Sequence, residues 1–152
     1  MSGVDATMLV LSQPTSWSCE GLMTTANDTS RPHDDNVLVR TWHKLWIEAD
    51  PTGIEALVCD PYVRHSCHGD TVSMSPADYG SHITRVTGHL RGTEIDIAYL
   101  VEVDDMIHAR FTLRGMSLTT GTPVSVAWLG HYRLEGGKLA ESWTLRETDA
   151  AW

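Results

Sequence analysis

The chain has 152 residues, with 11 Lys and Arg against 20 Asp and Glu and a net charge of −9. That length suits one domain with a core of ordinary size, and a 41% hydrophobic share reads as globular. The acidic balance argues against nucleic acid and against an anionic membrane surface, and no apolar run approaches the ~18 residues of a membrane span.

One entry in the composition is unusual: six Trp stand beside a single Phe. The three cysteines, Cys19, Cys59 and Cys67, are too few and too odd in number for a disulfide framework. They read as reduced thiols, and the expected location is cytoplasmic. Met8-Leu9-Val10-Leu11 is too short for a signal-peptide core and has no basic flank.

Residues 1–33 are rich in Ser, Thr, Gly and Asn and carry no sustained period, so they are expected to be a disordered leader. Trp17 is the one large aromatic there, the single hint of an arm that packs on something. The domain is expected to span 34–152. Asp34, Asp35 and Asn36 offer helix N-caps. Leu38, Trp42, Leu45, Trp46 and Ala49 then recur at helical spacing, and Asp50-Pro51-Thr52-Gly53 stops the helix. A short second helix is predicted from Ile54 to Val58, and a short strand over Tyr62-Val63-Arg64-His65. A polar loop from Ser66 to Met74 leads to a third helix. Ser75 caps it, Pro76 takes its first position, Asp78 lies in the first turn and Gly92 ends it.

The period then changes from helical to alternating. Ile95, Ile97, Tyr99, Val101 and Val103 form one strand face. Ile107, Ala109, Phe111 and Leu113 form the next. Val124, Val126, Trp128, Gly130, Tyr132 and Leu134 form a third, and Leu139, Glu141, Trp143 and Leu145 a fourth. Asp104-Asp105 and Gly136-Gly137 are turns. The fold class is α+β: three N-terminal helices packed on one side of a curved, mostly antiparallel sheet.

Four stretches in this order resemble the SnoaL-like polyketide cyclases of the nuclear transport factor 2-like superfamily. They are the Trp-bearing first helix through Glu48-Ala49-Asp50, Asp60-Pro61-Tyr62-Val63-Arg64-His65, Ala109 to Gly115 with Gly121-Thr122-Pro123, and Tyr132-Arg133-Leu134 through Trp143. The resemblance implies a cone-shaped domain with one deep, mostly apolar pocket, a homodimer formed through the outer sheet face, and no cofactor. It implies cyclisation, isomerisation or dehydration of an apolar polyketide- or terpenoid-like metabolite by proton transfer. A non-catalytic small-molecule-binding module and an epoxide hydrolase-like enzyme are the alternatives.

The resemblance places His65 where family members keep a catalytic His or Asp, and a neutral-range imidazole suits acid/base work. It expects an Asp at Gly130, and the glycine departs from it. An Asp-Arg-Asp epoxide-hydrolase set keeps only Arg110. A guanidinium on an inner strand requires a partner, and Glu141 is one choice. Arg110, Tyr62 and Tyr132 are the expected polarising groups. Trp42, Trp46, Trp128 and Trp143 are expected to wall the pocket, with Gly130 opening space for a flat ligand and Cys67 lining the loop. His65-Ser66-Cys67-His68-Gly69-Asp70 gathers metal-ligand atom types, but no second cluster completes a site, so no metal is expected.

Overall fold

The structure, a computed structural model, describes residues 35–152. The expected leader therefore lies outside the described residues. Helix α1 runs Val37–Trp42 and continues as a π-helical turn, His43–Ile47. The Asn36 side chain accepts a hydrogen bond from the Leu38 N–H at 2.9 Å, so of the predicted caps it is Asn36 that closes the end. Ala49 leaves the helix in a left-handed conformation, φ 53°, and does not extend its apolar face.

The predicted second helix is only a 3-10 turn, Ile54–Ala56, and Val58 already begins a strand. Three helices are thus reduced to two and a turn. Three residues cannot close a second α-helical turn before Pro61, which has no N–H to donate. Strand β1 spans Val58–Ser66, and the predicted polar loop folds back as β2, Thr71–Met74. Helix α2, Pro76–Thr87, begins as the sequence indicates: Ser75 Oγ accepts from the Asp78 N–H at 3.1 Å. It stops earlier than predicted, at Gly88, and Gly92 lies within β3.

The remaining strands are β3 (Leu90–Val103), β4 (Met106–Ser117), β5 (Pro123–Glu135) and β6 (Lys138–Thr148). One six-stranded sheet has the order β2-β1-β6-β5-β4-β3, antiparallel except for the β1–β6 pair. Both predicted turns form. Asp104 adopts φ 56°, and Gly136 and Gly137 adopt φ 58° and 77°, the left-handed pair that a tight hairpin needs.

Both helices cover the same face of the sheet. Leu38, Trp42, Leu45 and Trp46 of α1, with Tyr79 and Ile83 of α2, pack on Phe111, Leu113, Trp128 and Tyr132. This is the inner face, and it holds the core. One irregularity divides the predicted face of β6. Leu139 pairs with Leu134, but Glu141 pairs with Arg133, so the intervening Ala140 shifts the register. Leu139 therefore points inward and is 0% exposed, while Trp143 and Leu145 point outward and are 38% and 49% exposed.

Leu139→Ala is expected to lower the unfolding free energy by about 2–5 kcal/mol, read as a lower urea midpoint at unchanged slope. Leu145→Ala on the outer face is expected to stay within about 0.5 kcal/mol of the parent.

Candidate functional site

The inner face lines a partly open cavity of about 30 Å³, about the volume of one water. Its walls are aromatic and pack on one another. Trp42 and Phe111 have ring centroids 4.0 Å apart, Trp46 and Trp128 meet edge to face at 5.4 Å, and Phe111 stacks on Trp128 at 5.6 Å. Three of the four expected wall tryptophans are here, but their area is spent on each other.

The polar atoms of the cavity belong to Tyr62, Tyr79, Tyr132, Ser142, Thr144 and Arg64. Burial pushes the Tyr62 hydroxyl well above the usual phenol value, the neighbouring Tyr79 adds to it, and Ser142 opposes it. Burial likewise raises Tyr79 and Tyr132. All three phenols are therefore neutral O–H donors at pH 7.

Gly130 does not open the cavity. A Cβ added there would lie 2.7 Å from the Tyr132 hydroxyl and 2.8 Å from its ring carbon Cζ. The phenol of Tyr132 fills the volume that a side chain at 130 would occupy. A donor thus stands where the resemblance expects a carboxyl group.

The rim follows from the strand period. Along the inner face of β6, Ser142 is buried, Thr144 half-buried and Arg146 exposed. Along β1, Tyr62 is buried and Arg64 half-buried. Arg146 lies over the Trp128 ring, 5.9 Å from its centroid. From α2, Arg85 Nη2 lies 3.3 Å from His82 Nδ1. Burial, then the charges of Arg64, Arg85 and Arg146, hold the His82 imidazole below its usual value. It is therefore neutral at pH 7, with Nδ1 turned to the Arg85 donor and its proton on Nε2.

His65 is elsewhere. It stands on the outer face, its ring stacked on Trp143 at 5.0 Å with 5° between planes. Its Nε2 is 2.7 Å from Glu141 Oε1 and its Nδ1 3.0 Å from Thr71 Oγ1. Arg133 Nε donates to the other Glu141 oxygen at 3.0 Å. His65, Cys67 and Trp143 line an outer cleft of about 290 Å³ with Leu129, His131 and Leu145. Arg110 is also outside, exposed, with its guanidinium 5.1 Å from the Trp152 ring centroid. Glu141 is not its partner.

The expected site thus divides. Trp42, Trp46, Tyr62, Trp128 and Tyr132 come together at the cavity with Gly130 behind them, while His65, Arg110, Cys67 and Trp143 do not reach it. The physical reason is alternation: if Tyr62 points inward, its neighbour but one, Arg64, must too, and His65 cannot. Arg64, Tyr79, Ser142 and Thr144 are pocket residues that the sequence reading passed over, and for Arg64 this parity was the signal. Among the described residues, no three His, Cys, Asp or Glu side chains are grouped to hold a metal ion. No described helix is long and apolar enough to cross a membrane.

Residues 39–142, more than half of the chain, match the SnoaL-like domain, and the chain belongs to that family. The fold is shared with solved structures of low identity. A SnoaL-like polyketide cyclase from Agrobacterium tumefaciens superposes with TM-score 0.60 at 13% identity, covering 73% of this chain and 88% of that one. A hypothetical protein of ketosteroid isomerase-like fold from Catenulispora acidiphila gives 0.59 at 15%, covering 71% and 83%. An LEH-like epoxide hydrolase of M. tuberculosis gives 0.57 at 13%, covering 72% and 79%. No curated protein sequence matches. The fold is therefore the nuclear transport factor 2-like α+β fold that these solved structures share.

The hydrogen bonds from His65 and then Arg133 hold the Glu141 carboxyl below its ordinary value. A depressed carboxylate stabilises the fold above the ordinary carboxylate range and loses that effect as the pH falls through the folded value. Glu141→Gln is therefore expected to be less stable than the parent at pH 7, with the difference closing in acid. Urea midpoints measured at several pH values check it.

Proposed function

We propose that this protein is an enzyme of SnoaL-like type that cyclises, isomerises or dehydrates a compact carbonyl metabolite in the inner cavity. The observation that carries this reading is the Tyr132 phenol in the space beside Gly130. A neutral phenol beside a water-sized cavity can donate to a carbonyl oxygen that displaces the water, and more strongly to the enolate that forms from it. Tyr62 supplies a second hydroxyl in the same wall. Among the described residues no carboxylate or imidazole lines the cavity. The reading therefore favours a substrate that ionises readily, a 1,3-dicarbonyl of the polyketide kind, whose carbon proton passes to solvent water at the open end while the phenols stabilise the enolate.

Only one carbonyl end enters a cavity of about 30 Å³; the rest of the substrate stays at the rim. The outer face, with Leu129, Trp143 and Leu145 exposed, is the surface through which a homodimer of this family would form.

The missing base also favours a second reading, a small-molecule-binding module of the same fold that has no turnover. Pentane-2,4-dione separates the two, because its enolate and enol differ in ultraviolet absorbance. The enzyme reading expects the protein to raise the enolate fraction at fixed pH. Tyr132→Phe should cut that rise by about tenfold or more, and His65→Ala on the opposite face should leave it unchanged. Binding of the diketone with no gain in enolate would support the module and overturn the enzyme.

A further inference from the structure

The hydroxyl and charged side chains that line the cavity, Tyr62, Arg64, Tyr79, Tyr132, Ser142 and Thr144, can all donate a hydrogen bond, and Arg64 carries positive charge. Arg64, Arg85 and Arg146 form no ion pair with any carboxylate among the described residues. Among the described arginines only Arg114 and Arg133 find carboxylates; Arg40, Arg91 and Arg110 do not, so what sets Arg64 apart is its place in the cavity wall.

Arg64 is the central case. It is half-buried, it lines the cavity, and its strand position is directly opposite Ser142 on β6. A guanidinium taken partly out of water without a counter-charge is unfavourable unless something supplies one. The neighbours cannot. Tyr62, Tyr79 and Tyr132 are neutral donors, and His82, with Nδ1 facing Arg85, presents a donor Nε2–H. Arg146 on β6, over the Trp128 ring, and Arg85 on α2, beside His82, add positive charge nearby.

We infer that this rim is a carboxylate-binding subsite, with Arg64 as its anchor, and that the protein's ligand is a compact keto acid whose carbonyl enters the cavity while its carboxylate sits on Arg64. A planar guanidinium matches a carboxylate edge to edge, and low-dielectric aromatic walls strengthen the contact. The rim also concentrates anions at the mouth of an otherwise acidic protein. This inference rests on the inner cavity being the site, but not on its chemistry.

The test is binding of levulinate (4-oxopentanoate) and of its neutral amide to the full chain, by titration calorimetry at low ionic strength. Levulinate is expected to bind about tenfold tighter than the amide. Arg64→Gln should erase that gap, Arg146→Gln should narrow it, and Arg91→Gln on β3 should leave it intact. Added salt of about 1 M should also narrow it. Because Arg146 is exposed, its variant folds even if Arg64→Gln does not. Equal affinity for acid and amide, or a gap that survives both rim substitutions, would overturn the subsite. A carboxylate preference with no effect on diketone ionisation would sink the proposed chemistry and leave the subsite standing. The reverse pattern would do the opposite.

Discussion

Neighbouring side chains on a β-strand point to opposite faces, and the chemistry of this protein follows from how that alternation falls. Tyr62, Arg64, Trp128, Tyr132, Ser142 and Thr144 share the inner face because their positions share a parity. His65, Leu129, His131, Glu141 and Trp143 are one residue away from them and belong to the outer face. A one-residue shift of β1 would exchange an arginine for a histidine in the cavity and change its character from donor to proton acceptor.

The two faces have different physical characters. The inner one is an aromatic packing in which burial raises the phenols above their ordinary value and Arg64 has no carboxylate partner among the described residues. The outer one settles its charges internally, with His65 and Arg133 dividing the two oxygens of Glu141. His65 is thus paired with Glu141 and stacked on Trp143 at the outer face, whereas Arg64 lines the cavity with no carboxylate partner among the described residues.

Helix α1 contributes by geometry as much as by burial. Its π-helical turn, His43–Ile47, lies where Trp42 and Trp46 must both face the sheet. Trp42 then covers Phe111, and Trp46 meets Trp128. These contacts leave a cavity of about 30 Å³ between the helices and the sheet.

Local rules were enough to read much of this protein from its residues. The caps at Asn36 and Ser75, the turns at Asp104 and Gly136-Gly137, the four long strands and the family resemblance all rest on short-range stereochemistry or on pattern. The sequence by itself also determined which residues share a face wherever a strand runs without a bulge, as in β4 and β5, but not across the register shifts of β3 and β6. What only the tertiary structure decided was which of two alternating faces the helices would cover, where Ala140 would break the register, and how much room the tryptophans would leave each other. Those outcomes depend on contacts between residues far apart in the chain. The Tyr132 phenol in the space beside Gly130 is such an outcome, and so is the absence of a carboxylate within reach of Arg64.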